Sequence, residues 1–104
     1  MFLDVNRVHK QSYEDGYTIG ASIPSYTALQ NYVLKLRYLR RKSFEEGWSP
    51  EVKDDLYTDI LRMCYRRKCP PPLFLLETDS SYLHHYFLQY VEGVEEALGQ
   101  REEI

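Results

Sequence analysis

The stretch Cys64–Glu77, CYRRKCPPPLFLLE, decides how the two halves of this chain are joined. It contains both cysteines, three of the five prolines and a run of three basic residues. Proline lacks an amide hydrogen and disfavours helical geometry in the residue before it, so a helix through Cys64 must end before Pro70. The run LFLLE at 73–77 is short and apolar, which predicts a buried strand. The stretch is therefore interpreted as a junction between a helix and a strand.

The helix before this junction has a clear start signal. Ser49 can act as N-cap, Pro50 occupies the first helical position and Glu51 lies in the first turn. At about 100° per residue, the apolar side chains fall on one arc of this helix, and Cys64 lies well inside that arc. Cys64 is therefore predicted to be a core residue. The arc comprises Val52, Leu56, Tyr57, Ile60, Leu61, Met63 and Cys64.

After the junction, TDSS at 78–81 predicts the cap of a last helix that ends at Gly99. Its apolar face covers more than half of the circumference, which is more than one packing surface needs. Either this helix is central and covered on two sides, or its tyrosine shoulder contacts a partner. The central position is favoured, and Tyr82, Tyr86 and Tyr90 are kept as second-choice partner-binding residues. The apolar stripe along this predicted helix comprises Leu83, Tyr86, Phe87, Tyr90, Val91, Val94 and Leu98.

Towards the N-terminus, Ser25 as N-cap and Gly47 as C-terminal residue delimit another predicted helix, with Leu29, Tyr32, Val33, Leu36 and Leu39 as its apolar stripe.

The first 24 residues are interpreted as a β-hairpin, in which FLDVNRV and GYTIGASI pair across a Glu-Asp-Gly turn. Tyr17, Ile19, Ala21 and Ile23 alternate as in a half-buried strand. The predicted fold is thus α+β: a small single domain over residues 1–104 with an N-terminal hairpin, two helices, one short strand and a central C-terminal helix. LFLLE would pair with part of the N-terminal segment.

Composition indicates one soluble globular domain, since 104 residues with 43% hydrophobic and 28% charged residues can bury a core. No apolar run approaches the ~20 residues that span a bilayer, so no membrane partner is expected. Two cysteines and the lack of a secretory signal favour the cytoplasm, or a host cytosol. Ten tyrosines suit interfaces as well as core margins.

The first predicted helix carries a candidate docking surface. Leu34 and Tyr38 lie one turn apart on the face opposite the apolar stripe, and Lys35, Arg41 and Lys42 edge them. Either another part of the domain, such as the hairpin, covers this pair, or the pair docks an acidic or phosphorylated partner with Tyr38 as anchor.

The sequence gives little support for a zinc site, a disulfide or an enzyme active site. Cys64, Cys69, His84 and His85 are of the right type for zinc, but the spacing C-x4-C-x14-H-H fits no common structural site. In a helix, the two cysteines would also lie too far apart for a disulfide. No phosphate loop, nucleophile elbow or metal-ligand motif indicates an enzyme, and no cofactor is implied.

The function expected from these observations is binding: a protein-binding module, such as an adaptor, inhibitor or accessory protein of a phage or virus. The predicted partner is another protein with an acidic or mixed-charge surface, and a homodimer is left open. The alternative is a nucleic-acid-binding accessory protein that uses the basic helix ends at 35–42 and 62–68. Against it, the second helix would separate these clusters by most of its length, and it begins with acidic residues.

Overall fold

A computed structural model of the chain describes residues 5–76 and 83–102, and all regular structure within these ranges is helical. The elements are α1 (Val5–Ser22), α2 (Tyr26–Glu46), α3 (Pro50–Arg67), a short 3-10 helix (Leu73–Leu76) and α4 (Leu83–Glu102). Neither described range contains a strand. The predicted α+β fold is therefore wrong, and the chain forms an all-helical domain.

Helices α2 and α3 begin and end where their capping residues predict. The hydroxyl oxygens of Ser25 and Ser49 each accept a hydrogen bond from the backbone amide three residues on, at 3.2 and 3.3 Å. Gly47 follows α2 with a φ of 72°, a conformation that glycine adopts without steric cost. Lys68 ends α3 in the left-handed conformation, two residues before Pro70. Both predicted helices are confirmed.

The predicted N-terminal hairpin is wrong, because α1 continues through the expected Glu-Asp-Gly turn. Gly16 lies where a side-chain Cβ would overlap the carbonyl oxygen of Tyr90, and a Cβ on Gly93 would overlap that of Tyr13. The two backbones thus touch where neither helix has a side chain. Contact with α4 therefore outweighs the cost, about 1 kcal/mol, of glycine within a helix.

The buried face of α1 consists mainly of small residues, which explains why its helical pattern is weak. Val8, Ser12 and Gly16 follow one another at intervals of four and are all buried. The Ser12 hydroxyl donates a hydrogen bond to the Val8 carbonyl at 2.7 Å, so its polarity is satisfied within the helix. Ile19 and Ile23 are both buried, but their spacing of four also fits strand alternation.

Helices α1 and α4 run in the same direction. Gly16 of α1 lies against Tyr90 of α4. One turn further along α1, Gly20 lies against Val94 and Ala97, which are also further along α4. At the end of the pair, the Arg101 guanidinium donates a hydrogen bond to the Gly20 carbonyl at 3.1 Å. This cation lies at the C-terminus of α1, where the helix dipole favours positive charge.

Helix α2 runs antiparallel to α4. The Tyr26 hydroxyl, at the start of α2, donates to the Glu102 carboxylate at the end of α4 over 3.0 Å. The Phe44 and His84 rings, at the opposite ends of the two helices, lie 4.7 Å apart between centroids.

Helix α3 is in turn antiparallel to α2. Lys35 in α2 pairs with Asp59 in α3 at 3.5 Å, and Arg67, near the end of α3, donates to the Ser22 carbonyl just before α2. These directions make α3, α4 and α1 point the same way.

Because α3 and α4 run in the same direction, the chain between them must return along the domain. Residues 68–76 of this connection are described, and Phe74 within them is fully buried with its ring 5.6 Å from that of Tyr90. The strand predicted at LFLLE is wrong: Leu73–Leu76 form one 3-10 turn, in which the Leu75 amide donates to the Pro72 carbonyl. A strand needs a neighbouring strand, and a helical N-terminal segment offers none.

The central position predicted for the last helix is confirmed. Helix α4 packs against α1, α2 and the 3-10 helix, and its entire predicted stripe is buried. The prediction that this helix ends at Gly99 is wrong. Helix α4 continues to Glu102, because Arg101 and Glu102 form hydrogen bonds with α1 and α2. The predicted TDSS cap at 78–81 lies outside the described residues.

Candidate functional site

The two apolar residues predicted to form a docking surface are exposed. Leu34 is 60% exposed and Tyr38 is 43% exposed, whereas the apolar stripe of α2 is buried. The predicted hairpin that could have covered this pair is instead α1, which packs against α4. The pair, called here the Leu34–Tyr38 ridge, presents apolar and aromatic surface to solvent.

A basic rim surrounds the tyrosine of this ridge. The Lys35 ammonium lies 5.5 Å from the centroid of the Tyr38 ring, and the Arg41 and Lys42 cations each lie 5.8 Å from it. These distances allow cation–π attraction. The Tyr38 hydroxyl and the nearby Glu46 carboxylate raise the pKa of Lys42. The structure thus brings together the five ridge and rim residues that the sequence predicted.

On one side, the ridge borders a groove between α2 and α4 with a volume of about 310 Å³. Leu34 forms part of its wall, and Val33 and Leu98 contribute buried apolar surface. The Arg37 guanidinium and the Glu95 carboxylate, 2.6 Å apart, also line the groove. A partner side chain that contacts Leu34 can therefore enter a groove with both apolar and polar walls at the same time.

On the other side lies a smaller groove between α2 and α3, which the sequence did not predict. Lys35, Arg62 and Arg66 line it together with Asp59, and its volume is about 130 Å³. The sequence predicts that most of a helix separates the two basic clusters. Antiparallel packing instead brings Lys35, the first residue of one cluster, beside Arg62 and Arg66 of the other. Opposite helix directions were foreseeable from the short loop, but the register was not.

The two described tyrosines of the α4 shoulder are buried and form no surface. Tyr86 and Tyr90 are 1% and 0% exposed, and the Tyr90 hydroxyl lies 2.7 Å from that of Tyr32 in the core. Burial raises the pKa of Tyr90 well above its usual value, so this hydroxyl stays protonated. Tyr82 lies outside the described residues. None of the three tyrosines is assigned to the docking surface.

The residues weighed for zinc or redox chemistry are dispersed. Cys64 is buried in the core, as predicted, and burial with the neighbouring Cys69 raises its pKa to about 11. Cys69 is also a free thiol. His84 packs edge-on against Phe44, and burial lowers its pKa. Across the described parts of the chain, no three metal-binding side chains cluster together.

No helix in the described ranges has the length and apolar character needed to cross a membrane. The sequence matches no protein-family model, and neither a curated protein nor a solved structure shows significant similarity to the chain.

Proposed function

We propose that this protein is a binding module that recognises another protein through the Leu34–Tyr38 ridge and its basic rim. The observation that carries the proposal is the exposure of Leu34 and Tyr38 on the face of α2 opposite its buried apolar stripe. A large exposed aromatic side chain with an aliphatic neighbour and cations at its edge is typical of the residues that dominate protein interfaces. We expect it to act in the cytoplasm or a host cytosol, where its free cysteines stay reduced.

The charge of the rim favours an acidic partner. Among the described residues, Lys35 and Lys42 pair with carboxylates, at 3.5 and 3.6 Å, whereas Arg41 lies over the Tyr38 ring and pairs with no carboxylate. Exposed ion pairs contribute little and exchange readily with a partner's carboxylates. All three cations can therefore attract acidic residues that approach Tyr38.

The same rim disfavours self-association through the ridge. In a symmetric antiparallel pairing of two copies of α2 about Tyr38, Lys35 of one copy would face Arg41 of the other. Leu34 would face Lys42. Like charges at these positions repel, so the proposal names a different protein rather than a second copy as the partner.

Affinity capture from the native host tests the proposal. In the test variant, Leu34→Ala is combined with Tyr38→Ala, and the chain offers a matched control in Leu61→Ala with Tyr65→Ala. The control pair has the same residue types at the same spacing on α3, and is 44% and 87% exposed. Both variants are expected to retain the helical circular dichroism spectrum. The test variant should lose the captured protein by about tenfold or more, because it removes the aromatic anchor.

Three results would contradict the proposal: capture that survives in the test variant, capture lost equally in the control, or unfolding of the test variant alone.

The nucleic-acid alternative is tested separately, by measuring the affinity of the protein for DNA and RNA. Arg41→Glu with Lys42→Glu would abolish binding to DNA or RNA, and wild-type affinity would fall steeply with salt.

A further inference from the structure

We propose that the groove between α2 and α3 holds the carboxylates of an acidic segment of the partner protein, with Arg62 and Arg66 as the recognising groups. This inference rests on the proposed function and adds a second contact to the ridge. It also states the partner's chemistry: glutamate or aspartate side chains interspersed with apolar residues.

The two arginines are free to accept such a ligand. Arg62 and Arg66 are one helical turn apart, so their side chains are neighbours on the same face of α3. Both are exposed, and within residues 5–76 and 83–102 no carboxylate pairs with either guanidinium. The nearest acid in the groove, Asp59, is occupied by Lys35 at 3.5 Å. Guanidinium groups bind carboxylates with two parallel hydrogen bonds, which gives such contacts defined geometry.

The positive stretch is short, which favours a local acidic segment over a nucleic-acid backbone. Towards the start of α3, the same side of the helix carries Asp55 and Glu51, at intervals of four from Asp59, and both are exposed. A strand of phosphates that follows the groove would leave the arginines within about two turns and meet these carboxylates. A peptide can place its acidic residues against Arg62 and Arg66 alone.

An adjoining recess supplies the apolar part of the surface. It shares Met63 and Arg66 with the groove and has a volume of about 190 Å³. It continues over Ile23, in the connection between α1 and α2, and over Ala28, in the first turn of α2. A partner segment with carboxylates and aliphatic side chains in turn matches both halves of this surface. Bare anions would use only the first half.

Titration of the isotope-labelled protein with two defined peptides tests this assignment. One is a short, end-blocked peptide of alternating glutamate and leucine pairs, and the other has glutamine in place of every glutamate. The glutamate peptide is expected to shift the backbone amide resonances of Lys35, Arg62 and Arg66 in the NMR spectrum. The glutamine peptide should not. Raising the salt concentration should weaken the binding, since exposed charges are screened.

Charge-matched variants identify the groups responsible. The double variant Arg62→Gln with Arg66→Gln should bind the glutamate peptide about tenfold more weakly, because it loses two exposed charge pairs. Arg7→Gln with Lys10→Gln, on the exposed side of α1, removes the same charge and should leave affinity unchanged.

Equal weakening in both double variants, no shift with the glutamate peptide, or tighter Arg62- and Arg66-dependent binding of a single-stranded oligonucleotide would overturn the assignment. The two proposals fail separately. If the glutamine variant at Arg62 and Arg66 still binds the peptide and host protein normally while the Leu34 and Tyr38 variant does not, only the groove is misassigned. The reverse result would leave the groove assigned and remove the ridge.

Discussion

Tyr32 and Tyr90 form a polar contact inside the core. Their hydroxyl oxygens lie 2.7 Å apart, with Tyr32 on α2 and Tyr90 on α4, and the two side chains are 6% and 0% exposed. Burial raises the pKa of both hydroxyls, so both are neutral and one donates to the other. Each tyrosine satisfies the hydrogen bond that the other would lack in the core.

This pairing predicts a strong coupling between the two positions. Tyr90→Phe leaves the Tyr32 hydroxyl buried without its partner, and should lower the free energy of unfolding by about 1–3 kcal/mol. Tyr32→Phe should cost a similar amount. The double change to phenylalanine should cost clearly less than the two single changes together, because no orphaned hydroxyl remains. Urea unfolding of the four proteins measures the coupling, and additive losses would contradict it.

At the scale of elements, the contact between α1 and α4 depends on the absence of side chains. Gly16 and Gly20 of α1 face Gly93 and Ala97 of α4, so each helix has small residues one turn apart at the crossing. This spacing lets the backbones approach more closely than larger residues permit. It also joins the first and last helices of the chain.

Adding one methyl group at this crossing should therefore separate the helices. Gly93→Ala places a Cβ against the Tyr13 carbonyl oxygen and the Tyr17 nitrogen, and main-chain atoms cannot rotate away. The free energy of unfolding should fall by about 3 kcal/mol. Gly99→Ala is the matched control, because a Cβ there meets nothing within 4 Å. It should raise stability by roughly 0.5–1 kcal/mol. Thermal or urea unfolding measures both changes in stability. Equal effects of Gly93→Ala and Gly99→Ala would contradict the close approach of α1 and α4.

At the scale of the whole molecule, stability should depend on pH through His84. This side chain joins the start of α4 to the end of α2, with its ring 4.7 Å from that of Phe44 and 6.4 Å from that of Trp48. Burial, and to a smaller extent the neighbouring His85, lowers its pKa from the usual 6.5. The unfolded chain therefore binds a proton at His84 more readily than the folded chain does.

The sign of the effect follows from this difference. The contribution of His84 to stability is complete above a pH of about 6.5 and is lost as the pH falls through the lower pKa of the folded state. Urea midpoints measured from about pH 8 to pH 5 should fall with decreasing pH. His84→Gln should show a smaller fall over this range, and an unchanged slope would contradict the assignment to His84.

The chain direction is also a property of the whole molecule. Because α3 and α4 are parallel, the connection after Lys68 must cross the domain, and Phe74 anchors it in the core. The prolines end α3 and hold the chain away from helical geometry, as the sequence predicts. Which way the chain then turns depends on the α1–α4 contact, which lies outside this stretch.

The local features could be predicted from sequence patterns: both capped helices, the buried stripe of α4, the core position of Cys64 and the spacing of Leu34 and Tyr38 on one face of α2. Each of these depends on residues within a few turns of one another, where caps and periodicity act directly. The helical state of residues 5–22 could not be predicted in this way, since Gly16 and Gly20 favour a helix only when α4 lies against them. Only the tertiary structure decides the helix register that places Lys35 beside Arg62 and Arg66. The physical reason is that these outcomes depend on contacts between residues far apart in the chain, which no local pattern encodes.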